Sequence, residues 1–292
     1  MVTANSDLPT QAYAEIEVHP VAGNIGAEIH GVDLRKPLSD SVYAEINRAL
    51  LENCVIFFRD QDITPEQQIA FAGMFGSLQV HPFIPTLEGH PEIIELRSAA
   101  TGPAEMSYQS NVWHTDMTYT SEPPMGCVLC AKEVPASGGD TMFLNAYRAY
   151  ETLSPKMKEI VAGLTAIHDI TVTMPADFMA QSWAPKQLES LQKKTPPVEH
   201  PIVRTHPETG RKLLFVNKHF TSHIKELNRN ESDALLNCLY EHSAKPENIV
   251  RFNWDTHSIA FWDNRSTQHY AVNDYHSLRV MHRVTICGDK PF

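Results

Sequence analysis

The sequence predicts a mainly β protein with flanking helices, folded as a double-stranded β-helix, or jelly roll. Short β-like runs recur along the whole chain, and the few clear helices lie outside the stretches where strands are dense. This distribution is typical of two packed β-layers buttressed by helices. With 292 residues and 42% hydrophobic content, the chain can bury one large core. We therefore predict a single domain over residues 1–292.

The predicted elements follow from local patterns. Strands are expected at Glu15 to Val18, Ile25 to Ile29, Cys54 to Phe58, Met125 to Ala131, Leu213 to Val216, Val250 to Trp254, Ser258 to Trp262 and Arg279 to Cys287. Helices are expected at Val42 to Asn53, from Thr64 to Gly76, from Ser154-Pro155 onward, and at Ser232 to His242. The second helix has a capping box with proline at its first helical position.

The segment from Thr171 to Pro201 has no regular period. It contains prolines, Trp183 and many polar residues. Long insertions of this kind in compact enzymes are often functional lids. We predict a lid around residues 171–201.

Charge and composition restrict the partners. A net charge of -11, from 24 basic and 35 acidic residues, argues against non-specific attraction to nucleic acid or to an anionic membrane. No apolar stretch approaches the length of a membrane span, and Met1 to Gln11 lacks the pattern of a signal peptide. We expect a cytoplasmic homo-oligomer, a dimer or tetramer, whose small anionic substrate meets local basic residues.

The five cysteines are an odd number scattered along the chain, which favours reduced thiols over disulfides. Cys127 and Cys130 form a Cys-x-x-Cys pair, which can indicate a redox pair or half of a zinc site. They lie in a predicted strand, where residues three apart face opposite sides. We therefore expect that they do not share one metal ion.

His114 and Asp116 are candidate metal ligands, because residues two apart in an extended chain point the same way. The pair alone is weak, since one His-x-Asp is expected by chance in a chain so rich in histidine. His269 is the third candidate. Two histidines and one carboxylate on one face of an ion leave the opposite face open, as in non-haem iron oxygenases. The alternative for His269 is a core histidine hydrogen-bonded to a neighbour.

Arg279, Met281 and Arg283 alternate in the last predicted strand and share one face. If that face is interior, each buried guanidinium requires an anion, so two anions are predicted. Arginine is suited to gripping oxyanions through two hydrogen bonds. The alternative is a solvated strand face.

At these residues the sequence resembles the taurine dioxygenase family, and the similarity runs through almost the whole chain. The motifs that carry it are Gly26 to Leu34, Val55 to Gln61, Trp113 to Asp116, Gly138 to Thr141, His200 to Pro207, Trp262 to Tyr270, Met281 to Thr285 and Gly288 to Phe292.

This resemblance implies a jelly-roll dioxygenase that uses Fe(II), 2-oxoglutarate and O2. It would hydroxylate the carbon next to sulfur in an organosulfonate or alkyl sulfate, releasing sulfite or sulfate with an aldehyde, succinate and CO2. The implied iron ligands are His114, Asp116 and His269, and the implied 2-oxoglutarate contacts are Thr141 and Arg279. The implied substrate contacts are His81, Arg283, the backbone amide of Met117, and Phe220 as an apolar wall.

Two positions depart from the family members that accept taurine. Ile84 stands where they carry tyrosine, and Ser110 where they carry asparagine. An ammonium would lose a polar partner at Ile84, so a longer or more apolar sulfonate or sulfate ester is expected at least as readily as taurine. Two alternatives stay open: a small carboxylate substrate such as an aryloxyalkanoate, and a non-catalytic jelly-roll protein that uses the metal for structure.

Overall fold

Two β-sheets packed face to face form the centre of the molecule. The computed structural model describes residues 12–81, 84, 86–98, 110–174 and 184–292. Its strands are β1 (Glu17–Pro20), β2 (Ala27–His30), β3 (Val55–Phe58), β4 (Leu78–Gln79), β5 (Thr86–Leu87), β6 (His90–Ser98), β7 (Gly126–Glu133), β8 (Thr141–Asn145), β9 (Thr165–His168), β10 (Val198–Pro201), β11 (Val203–Thr205), β12 (Lys212–Leu214), β13 (Thr221–Ile224), β14 (Ile249–Phe252), β15 (Ile259–Asp263), β16 (Thr267–Ala271) and β17 (Arg279–Ile286).

The large sheet has the order β1-β2-β3-β15-β7-β17-β6-β5, with β4 also paired to β17. The facing sheet has the order β14-β8-β16, and the small sheets β10-β9-β13 and β11-β12 lie outside it. Phe57 of β3 stacks on Phe252 of β14, with ring centroids 4.0 Å apart. The two inner faces therefore share one apolar core.

The outer face of the large sheet is covered by the first two of the six described α-helices. The helices are α1 (Asp40–Asn53), α2 (Pro65–Gly73), α3 (Ala146–Glu151), α4 (Pro155–Val161), α5 (Ala184–Lys194) and α6 (Arg229–Ser243). Ile46 of α1 and Phe71 of α2 are buried against residues of β3, β7, β15 and β17. Thus strands such as β3 are buried on both sides, and their continuous apolar runs fit this position.

The predicted strands and helices are confirmed, with ends shifted by a few residues. The capping box of α2 is present, since the side chains of Thr64 and Gln67 each accept from the other's backbone N–H. All five cysteines are free, and Cys127 and Cys130 pack into different cores. Among the described helices, none is both long and apolar enough to cross a membrane.

The segment predicted as a lid is more regular than its sequence suggests. Its described parts contain a short 3-10 turn, helix α5 and strand β10, which pairs with β9. Residues 175–183, including Trp183, lie outside the described residues.

A buried ion pair follows β15. The Asp263 carboxylate accepts from Arg265 Nε at 3.0 Å and NH2 at 2.8 Å, and lies 2.9 Å from His206 Nε2. Burial alone would raise the pKa of Asp263, but the Arg265 guanidinium and His206 hold it well below its usual range.

Asp263→Asn is expected to lower the free energy of unfolding by about 3 kcal/mol at pH 7, because it leaves the buried Arg265 with only the part-exposed Glu208 as a charge partner. The folded pKa is depressed, so the stabilisation is complete above the unfolded pKa of about 3.9 and is lost as the pH falls below that value. The free energies of unfolding of the two proteins, measured in urea, should therefore converge at acid pH. Asp255→Asn, which removes a carboxylate 76% exposed, is the control and should change little.

Candidate active site

The two candidate histidine ligands face each other across a short antiparallel bridge. His114 N donates to His269 O at 3.1 Å, and His269 N donates to His114 O at 2.7 Å. Their ring centroids are consequently only 4.1 Å apart. Residues far apart in sequence are thus held as one cross-strand pair.

Asp116 is positioned by the turn after β15. Its backbone N donates to Asn264 Oδ1 at 2.9 Å, while Asn264 Nδ2 donates to the backbone oxygens of Asp116 and Pro124, both at 3.1 Å. Asn264 is fully buried. The main chain at Asp116 is therefore clamped to the end of the strand that leads to His269.

The three predicted ligands converge. His114 Nε2 lies 3.9 Å from Asp116 Oδ1, and His269 Nε2 lies 3.9 Å from Asp116 Oδ2. One ligand atom from each residue lies within 4.8 Å of the others, and no other group of three such side chains occurs in the described part of the chain. All three side chains are buried.

The protonation states of these side chains suit a divalent cation. Burial lowers the pKa of His114 to about 3 and that of His269 to about 4, so both rings are neutral. Burial would raise the pKa of Asp116, but the positive charge of Arg283 holds it below its usual range. His114 Nδ1 lies 2.7 Å from Val112 O, so it carries the proton and Nε2 presents a lone pair. This donor set fits Fe(II).

Arg279 is a buried guanidinium at the start of β17. It forms no ion pair within the described residues, and its Nε has no hydrogen-bond partner there. The buried Arg204 and Arg265, by contrast, pair with Asp289 at 2.7 Å and Asp263 at 2.8 Å. Because an uncompensated buried charge is costly, Arg279 is a candidate contact for an anionic ligand.

Thr141 and Arg279 both lie near the ring of Trp254. Trp254 Nε1 donates to Thr141 Oγ1 at 3.0 Å, and the Arg279 guanidinium carbon is 6.0 Å from the Trp254 ring centroid. Gly139 lies against the Arg279 side chain, since its φ is +72° and a Cβ there would lie 3.3 Å from Arg279 Cδ. The two residues predicted to hold 2-oxoglutarate are therefore both close to Trp254.

Arg283 lies against Asp116, with NH1 3.2 Å from Oδ1 and 3.4 Å from Oδ2. The predicted inward face of Arg279, Met281 and Arg283 is confirmed by their burial. Of the two anions that this face requires, the protein itself supplies one, the Asp116 carboxylate.

His81 is the second predicted anion contact. Its Nδ1 accepts from Ile84 N at 3.1 Å, so the proton of the neutral ring is on Nε2. Burial, followed by the positive charge of Arg283, lowers the pKa of His81 to about 4. His81 is thus a neutral hydrogen-bond donor near Arg283.

Met117 and Phe220 form the wall of the same region. Met117 has a φ of 52°, a left-handed conformation that is strained for a side chain of this kind and is often found at functional sites. Phe220 packs with Met117, Ile170 and Tyr119, whose ring centroid is 4.9 Å from that of Phe220. Leu191 of α5 covers this cluster. Ser110 and Ile84 are partly buried.

Comparison with known proteins decides the family. The model described as "Taurine catabolism dioxygenase TauD, TfdA family" matches residues 17–285. The chain belongs to this family. It is accordingly an α-ketoglutarate-dependent dioxygenase, and the alternative of a non-catalytic jelly-roll protein is wrong.

Several relatives cover nearly the whole chain. An alkylsulfatase of Acinetobacter baylyi is 38% identical over 287 residues, 96% of this chain and 87% of the relative. An α-ketoglutarate-dependent sulfate ester dioxygenase of Pseudomonas putida is 37% identical over 295 residues, which cover 99% of this chain and 95% of the relative. The crystal structure of a taurine dioxygenase from Burkholderia xenovorans aligns with a TM-score of 0.81 and 38% identity, covering 95% of this chain and 91% of that one. The predicted jelly roll is confirmed.

Three residues near the candidate metal ligands were not predicted from the sequence. Asn264 clamps Asp116, the buried His219 has its ring centroid 5.3 Å from that of His114, and Cys127 Sγ lies 3.4 Å from Asp116 Oδ2. Strand alternation predicts that Cys127 and Cys130 face opposite sides, but not which of them faces the site. For His219, one of fifteen histidines, no sequence signal was available.

Proposed function

We propose that this protein is an Fe(II)- and 2-oxoglutarate-dependent dioxygenase that removes sulfate or sulfite from an alkyl sulfate or organosulfonate. The observation that carries the proposal is the juxtaposition of Arg283 and Asp116, with NH1 3.2 Å from Oδ1. It puts an anion-binding guanidinium directly beside a metal-binding carboxylate. The sulfatase and sulfate ester dioxygenase relatives favour a sulfate ester.

His114, Asp116 and His269 would hold the iron, and Arg279 with Thr141 would hold the distal carboxylate of 2-oxoglutarate. Fe(II), 2-oxoglutarate and O2 together supply the oxidation that replaces a substrate hydrogen by hydroxyl, with succinate and CO2 as co-products. The contribution of the chain is positioning, which can account for a large part of a rate enhancement.

The substrate anion would be anchored by Arg283, the Nε2–H of His81 and the N–H of Met117. This anchor sets the distance from the sulfur oxyanion to the carbon that is hydroxylated. Once that carbon bears both hydroxyl and sulfate, the carbon–oxygen bond to sulfate breaks, the hydroxyl loses its proton, and an aldehyde and sulfate result. With a sulfonate, the carbon–sulfur bond breaks and sulfite leaves.

Residues 171–201 would act as a lid within the single domain. Leu191 packs on the cluster that contains Phe220, and Gln192 Nε2 donates to Asp169 Oδ2 at 2.8 Å. These contacts tie α5 to the wall of the site. A lid here would exclude water from the anion anchor and strengthen its electrostatic interactions.

The test is product release from a panel of anions, supplied with Fe(II), ascorbate and 2-oxoglutarate. Sulfate from alkyl sulfates or sulfite from sulfonates, with one succinate per product, supports the proposal. Faster succinate formation with an aryloxyacetate would favour the carboxylate alternative. No substrate-dependent succinate with any anion would contradict the proposal.

The polarity of the pocket predicts which substrate is preferred. Ile84 offers apolar surface, so an alkyl chain gains burial there, whereas an ammonium sheds water without a partner. We expect kcat/KM for hexyl sulfate or hexanesulfonate to exceed that for taurine by about tenfold. Ile84→Tyr should shift the preference toward taurine, measured as sulfate or sulfite release at matched concentrations.

Ile160→Tyr makes the same substitution on α4 at a side chain that is 45% exposed, and should leave the preference unchanged. A clear preference of the unmodified protein for taurine would mean that residues other than Ile84 and Ser110 contact the amine.

A further inference from the structure

A thiol contacts the carboxylate at the centre of the site. Cys127 lies in β7 and is fully buried. Its Sγ is 3.4 Å from Asp116 Oδ2 and 3.7 Å from the hydroxyl of Thr285. Thr285 is the residue of β17 that pairs with Cys127 of β7. Nothing in the proposed mechanism uses this side chain.

The orientation of the Asp116 carboxylate plane depends on the contacts made by its two oxygens. The torsion that turns a carboxylate plane is soft, so the orientation of the plane depends on its neighbours. Arg283 NH1 lies at nearly equal distances from Oδ1 and Oδ2, 3.2 and 3.4 Å, and therefore holds the group without selecting an orientation. Cys127 contacts one oxygen, Oδ2, and in doing so restricts the torsion of the carboxylate plane.

The chemistry of the contact is that of a donor and an acceptor. A thiolate here would add a second buried negative charge beside a carboxylate, at high cost. The thiol keeps its hydrogen, and a neutral thiol is a weak donor to a carboxylate oxygen. Partners of this kind, which orient a ligand without touching the metal, typically change metal affinity by about 10–100-fold when they are removed.

We propose that Cys127 is a positioning residue, whose thiol donates to Oδ2 of Asp116 and fixes the carboxylate plane relative to Nε2 of His114 and of His269. The inference rests on the proposed metal site. It assigns a role to a side chain that strand alternation alone would leave in the core.

The chain offers a matched control in the same strand. Cys130 is also buried, but it packs in the other core, under α1 and α2, and its side chain forms no hydrogen bond within the described residues. Removing its thiol therefore creates a similar cavity in β7 without altering a contact to Asp116.

The experiment measures Co²⁺ binding by calorimetry and by the visible absorption of the bound ion, without co-substrate or turnover. Cys127→Ala and Cys127→Val cannot donate, and each should weaken Co²⁺ binding about tenfold and shift the absorption bands. Cys127→Ser keeps a donor and should bind within about threefold of the unmodified protein. Cys130→Ala should bind Co²⁺ normally.

Unchanged Co²⁺ affinity and spectrum in folded Cys127→Ala or Cys127→Val would overturn the inference. So would an equal loss in Cys130→Ala, or a loss in Cys127→Ser as large as in the variants without a donor. The valine variant carries the test if alanine does not fold, because its volume is close to that of cysteine. Asp116→Ala distinguishes a failure of the Cys127 proposal from a failure of the proposed metal site, because normal Co²⁺ binding in that variant would reject the metal site itself.

Discussion

His114→Ala, Asp116→Ala and His269→Ala are each expected to reduce kcat by at least about a thousandfold, because each removes one of three groups that hold the metal on one face. The loss corresponds to several kcal/mol of transition-state stabilisation. The three side chains converge within 4.8 Å of one another, and within the described residues no other cluster could replace them. Succinate formation with saturating Fe(II) and 2-oxoglutarate is the measurement.

The same variants should bind Fe(II) or Co²⁺ much more weakly while remaining folded, as judged by Tm and near-ultraviolet circular dichroism. Removing a buried imidazole leaves a cavity, so Tm is expected to fall modestly. His30→Ala, at a side chain that is 48% exposed on β2, is the control for loss of a histidine. Full activity in any one of the three variants would remove that residue from the metal site.

The strands that could be predicted from the sequence are those whose faces are both apolar or simply alternating. β3, Val55–Phe58, is an uninterrupted apolar run because it is buried on both sides. β8 and β16 were not predicted. Each carries a candidate site residue, Thr141 at the start of β8 and His269 in the middle of β16. In β16 the polar Gln268 and His269 interrupt the apolar pattern by which strands are recognised.

Residue spacing indicates the local contacts of the candidate site but not the contacts that depend on tertiary structure. Period-two spacing places His114 with Asp116, and Arg279 with Arg283, on one side of the chain. The bridge between His114 and His269 depends on two backbone hydrogen bonds, and the pairing of Arg283 with Asp116 brings two different elements together. Neither contact leaves a trace in residue spacing.

Arg279→Ala is expected to raise the 2-oxoglutarate KM by about a hundredfold while leaving Fe(II) or Co²⁺ binding near normal. Truncating one member of a buried charge pair typically costs 2–5 kcal/mol of binding, and Arg279 is the buried guanidinium for which the described residues supply no ion pair. Initial rates of succinate formation over a range of 2-oxoglutarate concentrations measure the effect. The 2-oxoglutarate KM of Arg279→Lys should lie between those of the unmodified protein and Arg279→Ala, because lysine keeps the charge and loses the planar guanidinium.

The same residue allows a stability test that Arg265 controls. Without 2-oxoglutarate, Arg279 is a buried charge for which the described residues supply no ion pair. Arg279→Ala is therefore not expected to lower the Tm of the protein as Arg265→Ala does, since Arg265→Ala removes the guanidinium partner of the buried Asp263. Added 2-oxoglutarate should then raise the Tm of the unmodified protein but not that of Arg279→Ala, since only a bound ligand stabilises the folded state. If Arg279→Ala raised only the KM of the sulfur substrate, the roles of Arg279 and Arg283 would have to be exchanged, and the anion beside Asp116 would be the carboxylate of 2-oxoglutarate.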